Sequence, residues 1–242
     1  MHTKILSAFL GPAVIVLTIT GCIIVINGKS VQGSGNIITQ EREVSEFSKV
    51  HLKGSGKVFL TPGEKQALEI KTDDNITPLI ETDVSGNKLT ISHGNHHLRP
   101  TSFEVYITVI NLEGVAISGS GDVRGKNRFV ADAFYAEISG SGDMDLEVET
   151  GRLEAKISGS GSIHLSGKAE DYSASISGSG EINAFDVQAK NVSVKISGSG
   201  DCRVYATESL DAKISGSGDV YYKGRPKINT KMSGSGSLIS RD

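Results

Sequence analysis

The sequence predicts an all-β protein that folds as a parallel β-helix, a right-handed solenoid whose coils contain about 18–21 residues each. Three observations lead to this fold class. The tripeptide Gly-Ser-Gly recurs at nearly constant spacing, apolar and polar residues alternate before each copy, and the repeats are too short to contain a crossover helix. A period of about 20 residues with strand-like sequence is typical of solenoid proteins.

Gly-Ser-Gly marks the repeat. It occurs nine times, and the third to ninth copies begin at Gly119, Gly140, Gly159, Gly178, Gly198, Gly216 and Gly234, at nearly even intervals. Because glycine adopts a positive φ without a Cβ clash, each copy is predicted to form a tight corner of a coil. The expected corner glycines are Gly119, Gly121, Gly140, Gly142, Gly159, Gly161, Gly178, Gly180, Gly198, Gly200, Gly216 and Gly218.

The residues before each corner alternate as in a half-buried strand. Leu153, Ala155 and Ile157 share one parity, and Glu154 and Lys156 lie between them. The same pattern recurs in the following coils, and a second short apolar pair follows each corner. Each coil is therefore predicted to contain two strands with the triplet between them.

An antiparallel meander, either a sandwich or a barrel, is the alternative architecture. It would also give short strands at even spacing. Its successive turns would fall at opposite ends of the sheet, so it would not require the same Ile-Ser-Gly-Ser-Gly corner in every repeat. A βαβ unit needs about 30 residues or more, which excludes a helix in each coil.

The predicted β-helix domain spans residues 31–242 and has two parts. Residues 117–242 carry the regular repeats, and residues 57–116 are expected to form irregular coils of the same domain, with a separate small domain as the alternative. A short helix is possible at residues 74–80, and Ser85-Gly86-Asn87 is predicted to be a turn. Strands are predicted at Lys57–Leu60, Ala67–Lys71, Lys88–Ser92 and Phe103–Val109.

The N-terminus has the features of an export signal. Lys4 precedes an apolar run that ends in Ile19-Thr20-Gly21-Cys22, which resembles a bacterial lipobox. We therefore expect residues 1–21 to be a lipoprotein signal peptide, Cys22 to carry the lipid, and residues 22–30 to form a tether. An uncleaved membrane anchor and a simple secretory signal are the alternatives. All three place the protein outside the cytoplasm. For a lipoprotein we expect a lipid anchor in the cell envelope, at the outer membrane, on either its periplasmic or its surface face.

Composition argues against several classes of function. The net charge is −3, and the basic residues are scattered, so no nucleic-acid partner is expected. Cys202 occupies a position where other repeats have valine or isoleucine, which predicts a buried small apolar side chain rather than a reactive thiol. The chain lacks tryptophan, and no sequence pattern calls for a cofactor.

Acidic residues follow most of the triplets and are expected to stack in a column. Such a column could bind a hard cation, although aspartate is also a common turn residue. The His-rich tract at residues 93–97 is expected to be a solvated loop rather than a zinc site. The acidic column consists of Asp122, Asp143, Glu181, Asp201 and Asp219, with Ser162 and Ser237 at the remaining positions.

The order of motifs resembles one known family. The lipobox-like segment is followed by an early Gly-Ser-Gly-Asn-Ile at Gly33–Ile37, then Val50–Val58 around the second triplet, a Thr61-Pro62-Gly63 turn and the strand at Tyr106–Val109. Together with the later repeats, this resembles the auto-transporter adhesin, head GIN domain family of Bacteroidetes-type bacteria, from about Val31 to the C-terminus. The resemblance implies a β-helical envelope lipoprotein and brings no catalytic residues.

The sequence therefore favours a non-enzymatic surface or scaffold protein of the cell envelope. It is expected to bind a protein or glycan partner in an adhesin-like manner, and self-association through the solenoid ends is also expected to be feasible. The alternatives are a polysaccharide-active β-helix enzyme and a cation-binding structural protein. The acids recur at equivalent sites, once in most coils, and this regularity indicates architecture rather than an active site.

Overall fold

The computed structural model describes residues 30–94 and 96–241. The predicted signal peptide, Cys22 and the tether up to residue 29 lie outside the described residues. The described chain is a β-solenoid of about seven turns in which parallel strands stack on one another, so the predicted fold class is confirmed. None of the described residues belongs to a helix that could cross a bilayer.

Nineteen strands follow one another in residues 30–94 and 96–241. They are β1 Ser30–Gln32, β2 Ile37–Glu41, β3 Lys49–Gly54, β4 Lys57–Pro62, β5 Ala67–Asp73, β6 Glu81–Ser85, β7 Lys88–Ser92, β8 His97–Arg99, β9 Phe103–Val109, β10 Gly114–Gly119, β11 Asp122–Gly125, β12 Phe129–Gly140, β13 Asp143–Gly159, β14 Ser162–Gly178, β15 Glu181–Gly198, β16 Asp201–Gly216, β17 Val220–Lys223, β18 Lys227–Gly234 and β19 Leu238–Ser240. The strands predicted between residues 57 and 109 are present, and a 3₁₀ turn at Thr77–Leu79 occupies the position of the expected short helix.

Two faces run the length of the solenoid. Face B consists of the strands that lead into the Gly-Ser-Gly corners, namely β3, β10, β18 and the C-terminal halves of β12 to β16. Face A consists of the strands that follow the corners, namely β4, β11, β17, β19 and the N-terminal halves of β13 to β16. The chain turns from face A to face B at a second, far corner, which includes residues 150–152, 169–171, 189–191 and 207–209.

Alternation places one set of side chains between the two faces. In β14 the side chains of Tyr172, Ala174 and Ile176 are buried, whereas Ser173 and Ser177 point to solvent. The buried side chains of all coils join into one hydrophobic cluster that extends from Phe47 to Val220. Burial of this continuous apolar strip is the main force that holds coil on coil, because each coil alone is too thin to form a core.

The N-terminal end of the solenoid departs from stacking in chain order. The layer formed by β3 and β4 lies between β10–β11 on one side and β7 with β9 on the other. Beyond them, β5 pairs antiparallel with both β9 and β2, and β6 pairs antiparallel with β7. These antiparallel strands close this end of the stack.

Two charged side chains stabilise the N-terminal layer through hydrogen bonds to the backbone. The carboxylate of Asp73 is buried and accepts hydrogen bonds from the N–H groups of Gly35 and Thr101, both at 2.8 Å. Burial acts to raise the pKa of Asp73, but these hydrogen bonds outweigh it and the pKa lies below its ordinary value. Arg42 donates to the carbonyl oxygens of Thr77 and Ile80, and burial lowers its pKa.

Candidate functional site

The Gly-Ser-Gly corners lie directly above one another. Gly119, Gly140, Gly159, Gly178 and the later first glycines are register partners, and the N–H of each central serine donates to the carbonyl of a glycine one coil earlier. The backbone therefore forms its own ladder at this edge. Neighbouring coils lie very close together at this corner. A Cβ on Gly178 would overlap the carbonyl oxygen of Gly159, and a Cβ on Gly180 would lie 2.7 Å from the carbonyl oxygen of Gly161.

The acidic residues stack next to this ladder, where they contact neighbouring coils. Asp122 lies beside Asp143, and Glu181 lies beside Asp201. The carboxylate of Asp201 accepts a hydrogen bond from the N–H of Asp219 at 3.0 Å, and Asp219 does the same for Ser237 at 2.8 Å. These acids thus cap backbone donors of the next coil.

Glu181 has a different partner. Its carboxylate forms an ion pair with Arg203 of the next coil. Within residues 30–94 and 96–241, no three histidine, cysteine or acidic side chains are grouped in a way that could hold a metal ion. The contacts of the column therefore support an architectural role.

A groove of about 1120 Å³ runs along the far corner and the adjacent part of face B. Its floor is a row of outward side chains in register on successive coils. At the N-terminal limit, Val130 is 69% exposed and Lys49 Nζ lies 5.9 Å from the centre of the Tyr135 ring. The row consists of Tyr135, Glu154, Ser173, Ser193 and Asp211.

The rim of the groove is a second in-register row at the far corner. Asn191 donates to the carboxylate of Asp171 at 3.0 Å, and Ser209 donates to the amide oxygen of Asn191 at 2.8 Å. Arg152 precedes these residues in the same row. The rim therefore presents a chain of hydroxyl, amide and carboxylate groups, linked from coil to coil, which can both donate and accept hydrogen bonds.

Tyr135 is one of three aromatic residues that line this groove, and the other two, Phe134 and Tyr172, are buried. Partial burial raises the pKa of Tyr135, and the negative charges of Glu137 and Glu113 raise it further. Its hydroxyl stays protonated at neutral pH and can donate a hydrogen bond, and its ring, like the side chain of Val130, gives the groove an apolar surface.

The sequence prediction missed this groove. The corner glycines repeat in type, whereas the groove rows contain a different residue in almost every coil, so no motif marks them. The position of these residues in the repeat could have identified them. Each rim residue directly precedes the first buried residue of face B, as Asp171 precedes Tyr172.

The histidine tract is more buried than predicted. The ring of His93 packs over Gly54, where it would overlap a Cβ, and the Nδ1 atoms of His93 and His96 are buried without a hydrogen-bond partner among the described residues. A second hollow of about 550 Å³ lies beside His93, His97 and Arg99. His93 and His96 are half-buried and His97 is exposed, so the tract is less solvated than expected, and His93 covers the corner ladder at Gly54.

Two buried polar groups lie in the core without a visible chemical role. The thiol of Cys202 is fully buried and burial raises its pKa far above the ordinary value, so it remains protonated. The hydroxyl of Tyr172 is also buried, burial raises its pKa, and it has no hydrogen-bond partner among the described residues.

These features define a class: a β-solenoid closed at its N-terminal end, with a backbone ladder along one corner and a polar groove along the other. Residues 46–226 match the family model described as "Putative auto-transporter adhesin, head GIN domain". The chain belongs to this family.

Solved structures show the same fold. A "putative adhesin" from Bacteroides fragilis is 31% identical, with a TM-score of 0.83 over 87% of this chain and 100% of that chain. A "putative lipid binding protein" from Parabacteroides distasonis is 29% identical, with a TM-score of 0.76 over 88% and 100%. A "putative adhesin" from Parabacteroides merdae is 28% identical, with a TM-score of 0.73 over 89% and 100%. No curated protein matches the chain.

Proposed function

We propose that this protein is a non-catalytic, adhesin-like protein of the bacterial cell envelope that binds a glycan chain in the groove along its far corner. The observation that carries this proposal is the groove itself, whose polar groups stand in register on five successive coils. Membership of the adhesin family supports the general role.

The groove suits a polymer with repeated hydroxyl groups. Neighbouring coils lie about 4.8 Å apart, so hydroxyl, amide and carboxylate groups recur at that interval along the groove. Such groups can satisfy hydroxyls that both donate and accept, and Tyr135 and Val130 offer an apolar surface for one face of a sugar ring. A folded protein partner would instead favour a larger apolar centre.

Two carboxylates of the groove are engaged by amide groups of the next coil, which favours binding over the chemistry of a glycoside hydrolase. An acid and a base must flank one bond at a defined separation. Asp171 instead accepts a hydrogen bond from Asn191, and Asp211 accepts one from Asn229, each in the next coil. These contacts support binding without cleavage.

Glycan binding can be tested with a matched pair of substitutions on β15. Ser193 and Ser197 are both exposed on face B, but only Ser193 lines the groove. On an array of bacterial envelope polysaccharides, Ser193→Arg should weaken binding by about tenfold or more, and Ser197→Arg should leave it unchanged. Equal binding by both variants would contradict the groove proposal, and release of shortened polysaccharide would establish the enzyme alternative.

We also propose that lipid on Cys22 holds the protein at the outer membrane. The support is the lipobox-like Ile19–Cys22 segment. A fatty-acid probe added to growing cells should label the unsubstituted protein but not the Cys22→Ser variant. Equal labelling of the two proteins would overturn the proposed attachment.

A further inference from the structure

The C-terminal end of the solenoid exposes side chains that occupy core positions in the preceding coils. All eight residues of β18 are exposed, including Ile228 at 41% and Met232 at 48%. Their register partners in β16, Leu210 and Ile214, are 1% and 3% exposed. The end of the rod therefore exposes two apolar side chains at core positions, in contrast to the N-terminal end, which antiparallel strands close.

Basic residues surround this apolar end. Lys227 and Lys231 alternate with Ile228 and Met232 on β18 and point to the outside of face B. Residues 220–241 contain five basic residues and no acidic one, and Asp242, outside the described residues, is the one acidic residue after Asp219. The five are Lys223, Arg225, Lys227, Lys231 and Arg241.

None of these five cations forms an ion pair with a described acidic residue. Lys223 and Arg241 lie over the rings of Phe185 and Tyr221, whereas Arg225, Lys227 and Lys231 are exposed. Lys231 also lies directly beside Lys213, which lies beside Lys195. Stacked like charges destabilise a sheet, so this row lacks any evident structural benefit.

The positive charge at the C-terminal end of the solenoid indicates which kind of partner can bind there. A second copy docked end to end would bring two identical basic rims together, which is unfavourable. An anionic bilayer surface offers the complement, because exposed apolar side chains can enter the interfacial region while a surrounding rim of lysine and arginine contacts lipid phosphates.

We infer that the C-terminal end of the solenoid docks on an anionic phospholipid surface, with Ile228 and Met232 entering the interface and Arg225, Lys227 and Lys231 contacting headgroup phosphates. This docking requires neither the glycan groove nor the lipid on Cys22. It assigns a binding role to the end of the rod opposite the one where the chain enters the solenoid at Ser30.

The experiment uses a chain that begins at Ser30, so that neither lipid nor the apolar N-terminus can attach it to a membrane. This span contains the hydrophobic core that the described residues form, and the solved relatives fold over a comparable length. Its binding to vesicles of phosphatidylcholine alone is compared with binding to vesicles that also contain phosphatidylglycerol. Three lysines or arginines at a surface contribute a factor on the order of a hundredfold in affinity.

Two triple variants separate local docking from general electrostatic attraction. Arg225→Gln, Lys227→Gln and Lys231→Gln together should reduce binding to the anionic vesicles by roughly a hundredfold. The control combines Lys53→Gln, Arg124→Gln and Lys168→Gln, which removes the same charge from exposed positions on earlier coils and should change binding little. Equal loss in both triple variants would overturn docking at this end.

A third variant tests the apolar contribution. Ile228→Ser with Met232→Ser should also weaken binding to the anionic vesicles, and the remaining binding should be strongly salt-sensitive. Unchanged binding would overturn the proposed entry of Ile228 and Met232 into the interface, because charge alone would then account for the binding. Equal binding to phosphatidylcholine vesicles, or a stable dimer of the unsubstituted chain that the serine variant loses, would refute the inference.

Discussion

The corners require glycine for two reasons, a positive φ and the close approach of neighbouring coils. Alanine substitutions at different glycines should separate the two. Gly178 has a φ of +122°, where an L-residue is strained, and its Cβ would overlap the carbonyl oxygen of Gly159. Gly180 is not in this φ region, but its Cβ would lie 2.6 Å from Ile157 Cγ2 and 2.7 Å from the carbonyl oxygen of Gly161. Gly86 has a φ of +56° and open space around its Cβ position.

The expected magnitudes follow from these contacts. Gly86→Ala should cost about 1 kcal/mol from backbone strain alone. Gly180→Ala should cost about 1–3 kcal/mol, because the coils must move apart to admit the methyl group. Gly178→Ala combines both effects and should cost about 2–5 kcal/mol. For a chain of this size that corresponds to a fall in Tm of about 4–20 °C.

Denaturant unfolding followed by circular dichroism measures these free energies. The order of destabilisation should be Gly178→Ala, then Gly180→Ala, then Gly86→Ala. If Gly178→Ala is no more harmful than Gly86→Ala, close stacking of the corners is not a constraint and the reasoning is refuted. A neutral Gly180→Ala would show that the coils separate at little cost.

Three further predictions concern buried polar groups. Because hydrogen bonds lower the pKa of Asp73, its ionised form stabilises the fold above about pH 4, and this stability should be lost as the pH falls through the lowered pKa. Asp73→Asn should therefore have a lower free energy of unfolding at pH 7 and lose less stability on acidification. The Cys202 thiol should resist iodoacetamide at about pH 8 in the folded protein and react once denaturant is added, so rapid native labelling would contradict its burial. Tyr172→Phe removes a buried hydroxyl without a described partner, so it should leave the free energy of unfolding unchanged or raise it by up to about 2 kcal/mol, and a large destabilisation would reveal a missing hydrogen bond.

Local sequence predicted the repeating coils well, because each coil contributes the same corner and the same alternation. The strand at Lys88–Ser92, for example, follows from its pattern alone. Its parallel pairing does not. Besides its hairpin neighbour β6, β7 pairs with β3, from which β4, β5 and β6 separate it along the chain, and β10 occupies the opposite edge of β3. A periodic pattern indicates which residues are buried, whereas partner choice depends on long-range packing that no local period encodes.

The candidate groove was harder to predict for a related reason. A corner requires glycine on steric grounds, so the same residue recurs in every coil. An exposed row such as Arg152, Asp171 and Asn191 has no steric requirement for one residue type. The acidic column shows the converse. Its regularity was visible in the sequence, yet only the contacts of Asp201 and Asp219 with backbone donors of the next coil show what the repetition accomplishes.

The position of β3 and β4 between later strands has a consequence for the order of folding. Gly54 pairs with Gly119, whereas Gly140 pairs with Gly159, so the first pairing closes a loop roughly three times as long as the second. Closing the longer loop costs about 1 kcal/mol more in chain entropy, and non-local contacts of this kind slow folding. The regular coils can therefore assemble by local addition before the first layer is complete. During synthesis the residues of β3 emerge early but remain without their β10 partner until Ile117 has been made, so Val50 and Leu52 are exposed to chaperones or to aggregation during that interval.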